Sequence, residues 1–394
     1  MNKTLIKRAG ANICHGLLQK YCSLKASRAP YDIASFDVYD TCITRLTGTP
    51  RSLFFILAHS LDLEPFGIDE RRFVYLRIQA ERIAYARNGE AATLEDIYRE
   101  FEPLIPSRDF LDTAREKETE LEKRCAVAIP DTVERINEER RKGKKIAFLS
   151  DMYLPLHTIR EILRSKDIYR DEDVVLVSCE EKTGKASAGL FNRLKNYPDY
   201  GGHILHRGDN PYSDLRGALR ANCSAVLDTP AALNKYERIM ENFSDATRGF
   251  SSYLAGVSRA IRLGDSSGID RDKTITSVTA GMAMPILTAF VLWILKESSH
   301  RKIERLYFVS RDGEVLLDIA KKLSALSDEF SGIELKYLYG SRHAWYPPLI
   351  RTKENLEEAF DTWLSEYTRY DMPEDFFAHL NIAMDDIRAF FPKA

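Results

Sequence analysis

Short apolar runs that stop abruptly at polar residues recur through the first half of the chain. Ile33, Ala34 and Phe36 lead to Asp37 and then to turn chemistry at Asp40 and Thr41, and Lys145-Ile-Ala-Phe-Leu149 leads to Ser150 and Asp151. Further runs fall at Asp173 to Val177, Gly202 to Leu205 and Ala225 to Leu227. Runs of this kind, bounded by turn residues, predict buried strands. Helical periodicity lies between them, at Leu156 to Arg164 and Ser187 to Leu194. Regular alternation of strand and helix predicts an α/β fold whose parallel sheet is covered by helices on both faces. Such sheets bind ligands outside the carboxyl ends of their strands, which makes Asp37 the first candidate residue.

The period changes after Arg45. From Pro50 to about Lys142 the pattern is helical, with patches at Leu53-Phe54-Leu57-Ala58-Leu61, Phe73-Leu76-Ala80-Ile83-Ala84 and Ile97-Tyr98-Phe101. Thr93 precedes a first turn rich in acids, as a helix N-cap does, and Gly143 ends the last helix of this stretch. The bases Arg77, Arg82, Arg87, Lys117 and Arg124 read mostly as solvated helix faces, with one or two reaching toward an anionic ligand. Residues 4 to 27 predict a short flanking amphipathic helix, packed on the main domain rather than lying on a membrane.

Beyond Asp228 the pattern predicts a domain exit, a helix over Tyr253 to Leu263, and a loop at Gly264 to Gly268. Thr274 to Leu295 carries no charge for 22 residues, long enough to span a bilayer. Gly281, Pro285 and several threonines dilute it, so a buried core helix is expected and no transmembrane segment. Ile303 to Val309 then repeats the form of a strand, ending at Ser310 and Asp312 before a helix over Val315 to Leu323, and Lys336 to Tyr339 predicts another strand. The second half thus reads as a degenerate Rossmann-like α/β module, a recognition or structural unit. The rival reading is a second site built from Ser310, Arg311, Asp312, Ser341, Arg342 and His343. Residues 353 to 394 look helical and partly acidic, and the chain ends on Phe391-Pro-Lys-Ala with no obvious stop, as a piece of a longer protein would.

Composition narrows the class. Lys plus Arg (57) nearly balances Asp plus Glu (59), so no global field favours nucleic acid. Six scattered cysteines without a Cys-x-x-Cys pair argue for a reducing compartment and against structural zinc. The N-terminus has no unbroken apolar core of the kind a signal peptide needs, so a cytoplasmic location is expected.

An Asp at the end of an apolar run also serves as a turn former or N-cap. Three later stretches set Asp37 apart: Ser150, then Glu181-Lys-Thr-Gly-Lys185, then Gly208-Asp-Asn-Pro-Tyr-Ser-Asp214. Four polar strand ends in the order Asp, Ser, Lys, Asp resemble the motifs of the haloacid dehalogenase (HAD) superfamily, mostly Mg²⁺-dependent phosphohydrolases, over roughly residues 31 to 228. The resemblance implies a Rossmann-like HAD core at 31–49 and 143–228, a helical cap at 50–142 inserted after the first strand, and a connection at 229–273 leading to the 274–394 module. The N-terminal helix occupies 1–30.

The same resemblance implies roles. Asp37 would be the nucleophile, forming an aspartyl-phosphate, and Lys185 would bring positive charge to nucleophile and phosphate. Lys182 fits less well, because the family lysine stands just before a helix that here begins Gly189-Leu-Phe191. Thr41, Ser150 and Asp151 would bind phosphate. Asp37, the Tyr39 carbonyl, Asp209 and Asp214 would hold Mg²⁺, a hard ion suited to oxygen ligands.

Tyr39 departs from the phosphatase pattern, which places a second Asp there as general acid and base, a function worth about 10²- to 10⁴-fold. Asp40, one residue on, is a candidate stand-in or a turn cap. Tyr at this position also occurs in dehalogenases proper, so attack on carbon is a rival chemistry, although a metal-binding acidic pair would be useless to it. A subgroup with Phe-Asp-x-(Phe/Tyr)-Asp-Thr resembles this chain more closely and is linked to bacterial surface-polysaccharide synthesis, such as capsule or O-antigen. It implies a sugar phosphate or phosphorylated glycan as substrate and glycosyltransferases as partners. The alternative is a catalytically impaired binding or scaffold module for a phosphorylated ligand.

Overall fold

The computed structural model describes residues 30–265, 270–340, 345, 352, 354 and 383–390. The predicted helix over 4 to 27, Ser341 to His343 and nearly all of 353 to 382 lie outside them. The chain divides into two compact units, Met1–Pro285 and Ile286–Ala394.

In the first unit, five strands buried on both faces form one parallel sheet in the order β5-β4-β1-β6-β7. They are β1 (Ile33–Asp37), β4 (Lys145–Ser150), β5 (Val174–Val177), β6 (Ile204–Gly208) and β7 (Ser224–Leu227). Successive side chains point to opposite faces and sort into two cores. Ala34, Phe36, Ile146, Phe148, Val175 and Val177 join one cluster, and Ile33, Ala147, Leu149, Val174, Leu176 and Ile204 join the other with Phe191 and Leu194. Burial on both faces explains why these strands read as continuous apolar runs. The α/β prediction holds. Strand β6 runs further toward the candidate site than Gly202 to Leu205, because His206, polar in sequence, is fully buried by partners described below.

Register aligns the strand ends. Asp37 pairs with Leu149 and Ser150 with Val177, while Phe36 pairs with Arg207, so β1, β4 and β6 end at one edge. Between β1 and β4 the chain forms helices Leu53–His59, Glu70–Asn88, Leu94–Phe101, Arg108–Cys125 and Pro130–Arg141. Thr93 caps the third: its hydroxyl accepts the Asp96 N–H at 3.1 Å, and Asp96 Oδ2 accepts the Thr93 N–H at 3.1 Å. Two short strands escaped the pattern, β2 (Ile43–Arg45) and β3 (Ala126–Ala128), which pair antiparallel at the base of the helical insert. Three residues are too few to show alternation.

Arg77 is not a solvated helix base. It is fully buried and bonds Glu118 through Nε and Nη2 at 2.8 and 2.6 Å, while Tyr98 donates to the same carboxylate at 2.9 Å. A guanidinium is tolerated there because its fork is matched by a buried carboxylate.

Helices Lys235–Asn242 and Phe250–Gly264 pack against the chain that leaves the sheet for the insert. Arg259, buried, donates to the carbonyls of Arg45 (3.1 Å), Thr47 (2.9 Å) and Ala231 (3.3 Å) and pairs with Asp40 at 3.3 Å. Hydrogen bonds made by a charged group contribute about 1.5–3 kcal/mol each. Arg259→Ala is expected to lower unfolding stability by roughly 2–3 kcal/mol, read by urea melts; an unchanged midpoint would show that these carbonyls find other partners.

The uncharged stretch is helical, with helices Asp270–Val278 and Met284–His300 joined by a wider turn at Thr279–Ala283. It is long and apolar enough to cross a membrane, yet only about a fifth of its most apolar stretch is buried. The expectation of a buried core helix is therefore corrected. Only one stripe packs: Val291 and Leu295 are buried, whereas Ile286 and Trp293 are each 61% exposed.

In the second unit, β8 (Arg305–Val309) and β9 (Glu334–Leu338) pair in parallel beside helix Asp312–Ser324. Phe308, Leu317, Ile319, Ala320 and Phe330 join Val291 and Leu295 in its core. Ser310 is held by Gly340, whose N–H it accepts at 3.2 Å and whose carbonyl it bonds.

Candidate active site

Four segments converge at the carboxyl edge of the sheet. Asp37 closes β1, and the hydroxyl of Thr41, in the turn that follows, donates to its Oδ2 at 3.2 Å. Ser150 closes β4, and Asp151 next to it accepts the Lys185 N–H at 2.8 Å. That bond fixes the loop before helix Gly189–Lys195 and aims Lys185 inward. The Lys185 ammonium bonds Asp37 and reaches Asp214 at 2.6 Å. Asp214 arrives from the wide helical turn Pro211–Arg216, where its Oδ2 accepts the Asn210 N–H at 2.8 Å. Asn210 in turn caps this turn, accepting the Tyr212 N–H at 2.8 Å.

Two glycines are demanded by closeness. A Cβ at Gly208 would overlap the Asp214 carboxyl group, and one at Gly217 would overlap the Lys185 carbonyl. Gly208→Ala must push Asp214 away, an overpacking that costs about 1–3 kcal/mol. The expected result is a lower melting temperature with divalent-cation binding weakened; calorimetry showing unchanged cation binding would contradict it.

Ligand atoms of Asp37, Asp209 and Asp214 lie within 4.8 Å of one another. Burial pushes the Asp37 carboxyl well up, Lys185 opposes it, and Asp214 and Asp209 add to the rise. Asp209 is pushed up to about 7 by burial, with Asp214 and Asp40 contributing. Burial would raise Asp214 too, but Lys185 and His206 hold it well below the carboxylate range. Burial works against the Lys185 charge, and Asp214, Asp37 and Asp151 more than reverse it. His206 supports Asp214 from beneath: Nε2 meets Oδ1 at 3.1 Å, and Nδ1 meets Ser35 Oγ at 2.7 Å. Burial lowers the His206 imidazole, so it supports as a neutral ring.

This cluster fits a divalent cation. Three acidic side chains face one ammonium and all their ligand atoms are oxygens; burial first, and the neighbouring carboxylates after it, push Asp37 and Asp209 up. A hard dication would supply the missing balance.

The structure gathers Asp37, Tyr39, Asp40, Ser150, Asp151, Lys185, Asp209 and Asp214 around one cavity of about 480 Å³. Thr41 is buried behind it against Asp37. Lys182 is elsewhere engaged, donating to the Cys179 carbonyl at 2.7 Å. Asp40 has left-handed backbone, accepts from Thr44 Oγ1 at 2.8 Å and pairs with Arg259, so its side chain holds the turn. Tyr39 donates to Glu122 at 3.2 Å, while the Arg45 guanidinium lies 3.8 Å over its ring and bonds Glu122 at 2.9 Å.

Sequence reasoning missed Arg45, Glu122 and His206; it expected the insert to close over the site but did not single out Glu81 and Tyr85, which line the cavity wall. A signal for Glu122 existed. Leu111, Ala114, Glu118, Glu122 and Cys125 form one buried helical stripe, and acids on such a stripe demand buried partners. Of the alternative second site, Ser310 is tied to Gly340 and the Arg311 N–H to the Tyr337 hydroxyl at 3.1 Å. Its other half lies outside the described residues.

No protein-family model matches this chain. No curated protein matches it either. Similar solved structures include a HAD phosphatase from Thermococcus onnurineus, 17% identical with a TM-score of 0.38 over 50% of this chain and 85% of that one. A 2-haloacid dehalogenase from Pseudomonas syringae pv. Tomato is 15% identical, with a TM-score of 0.37 over 51% of this chain and 87% of that one. A putative HAD-hydrolase from Bacillus subtilis, bound to magnesium, is 17% identical, with a TM-score of 0.38 over 51% and 90%.

Proposed function

We propose that this protein is a Mg²⁺-dependent phosphohydrolase that works through an aspartyl-phosphate on Asp37. The observation that carries the proposal is the Lys185 ammonium set between Asp37 and Asp214 at a sheet edge, with Asp209 completing an acidic cluster. Phosphoryl transfer to a carboxylate needs a positioned nucleophile and positive charge against the phosphate. Lys185 orients Asp37 and opposes the effect of burial on its carboxylate. Ser150 and the N-terminal residues of the loop after β1 would donate to phosphate oxygens. Asp37, Asp209, Asp214 and the Tyr39 carbonyl would hold Mg²⁺, which supplies a hard cation that neutralises phosphate charge.

The proposed substrate is a sugar phosphate or phosphorylated glycan of surface-polysaccharide synthesis, handled in the cytoplasm alongside glycosyltransferases. Hydrogen-bonding side chains on the cavity wall, Arg51, Glu81, Tyr85 and Tyr153, suit a hydroxylated ligand. A second reading, a binding module for a phosphorylated ligand, is favoured by one observation: Tyr39 stands where the family acid would stand and is committed to Glu122. Orthophosphate release from a panel of sugar phosphates, with Mg²⁺ and with chelator, separates the two. Metal-dependent release supports the hydrolase, whereas ligand binding with no release supports the module.

A further inference from the structure

Cleaving a sugar phosphate ester expels an alkoxide, which must receive a proton as the P–O bond breaks. Asp151 follows β4 two residues past Leu149, the register partner of Asp37, and lines the cavity with the nucleophile. Its Oδ1 accepts the Lys185 N–H at 2.8 Å. That leaves Oδ2, unpartnered among the described residues, as the oxygen to carry a proton. Lys185 and Asp214 face this carboxyl from the sheet edge, and Glu90 and Tyr85 face it from the helical insert. Desolvation by the surrounding wall pushes it above the usual carboxylate range; Lys185 opposes the rise, and Asp214 and Glu90 add to it. A carboxyl shifted in this direction keeps its proton closer to neutral pH, where a general acid works best.

Other groups on the wall fit the task less well. Asp40 pairs with Arg259 and holds its turn, and Glu81 pairs with Arg77 at 3.0 Å. Tyr85, Tyr153 and Tyr212 bring hydroxyls to the cavity, but burial pushes the Tyr85 phenol up to about 12 and Tyr153 well up, and Tyr212 is 64% exposed. Such phenols suit hydrogen bonds to sugar hydroxyls better than proton transfer.

Resting on the phosphohydrolase reading, we propose that Asp151 is the general acid and base of this site. A carboxylate oxygen of Asp37 attacks phosphorus, and the P–O bond to the sugar breaks with its electron pair on the sugar oxygen. That oxygen takes the proton from Asp151, which is left as a carboxylate. Water then attacks the phosphorus of the aspartyl-phosphate and gives a proton back to Asp151. The bond to Asp37 breaks with its electron pair on the Asp37 carboxylate, and orthophosphate leaves.

The test measures kcat/KM of the full chain with Mg²⁺ on glucose 6-phosphate, which expels an alkoxide, and on p-nitrophenyl phosphate, whose phenolate leaves without a proton. In Asp151→Asn the side-chain oxygen that accepts the Lys185 N–H is kept and the proton is lost. The variant is expected to lose about 10²- to 10⁴-fold on glucose 6-phosphate and to keep its kcat/KM on p-nitrophenyl phosphate, since that constant covers the steps through departure of the leaving group. Both substrates are read on the same protein, so a loss of folded fraction cancels in their ratio. Equal losses on the two overturn the proposal, because they mark a residue that acts only by holding Lys185. Unchanged glucose 6-phosphate turnover overturns it as well, and a selective loss in Asp40→Asn or Tyr153→Phe instead would reveal the true donor. A wild type active on p-nitrophenyl phosphate but not on glucose 6-phosphate lacks the donor and also overturns it. Silence of the wild type on both removes the phosphohydrolase reading itself.

Discussion

Asp37→Asn is expected to abolish orthophosphate release, a loss on the order of 10⁴-fold or more, because a nucleophile acting as part of a set cannot be replaced by the rest. Asn keeps the shape and removes the charge. The Lys185 ammonium then has Asp214 alone as a close acidic partner, at 2.6 Å, and the acidic cluster loses one of its three ligand side chains. The fold should survive, since Asp37 sits at the end of β1 and its backbone pairing with Leu149 is unaffected by the side chain. Thermal melts of the variant within a few degrees of wild type, together with lost turnover, would separate chemistry from folding. Turnover that persists in a folded Asp37→Asn protein would place the nucleophile elsewhere.

Lys185→Met carries the second large effect, on stability as well as turnover. Lys185 is 2% exposed, and its ammonium is bonded to both Asp37 and Asp214. Removing one partner of a buried ion pair leaves an uncompensated charge and costs about 3–5 kcal/mol. The variant should therefore melt well below wild type in chelator, and Mg²⁺ should raise its melting temperature by more than it raises that of wild type. The cation would be taking over the charge that lysine supplied. Equal melting of the two proteins in chelator would show that the carboxylates are neutral or solvated, contrary to the close pairing described here.

The strand ends were legible because each carries its chemistry in a contiguous stretch: an apolar run, then Asp37, Ser150 or Asp209. Lys185 was separable from Lys182 by its place before the Gly189–Lys195 helix. What stayed hidden depends on partners far apart in sequence. Arg45 meets Glu122 across 77 positions, and Arg259 meets the Thr47 carbonyl across 212. No local pattern encodes such pairs. His206 was hidden for a related reason, since a polar residue inside a strand looks like the strand's end until Ser35 and Asp214 are seen to satisfy both its ring nitrogens. The apolar helix near residue 285 shows the opposite limit: its composition was clear, but only the folded chain reveals that one stripe of it packs.

The most direct test is to trap the phosphoryl group itself. The protein should be mixed with Mg²⁺ and acetyl phosphate, quenched in acid within the first turnover, digested, and its peptides read by mass spectrometry. An acyl phosphate on the peptide carrying Asp37, labile to hydroxylamine and absent from Asp37→Asn, is the predicted result. Orthophosphate release with no phosphoryl group on Asp37, or with the group on another residue, would contradict the aspartyl-phosphate mechanism.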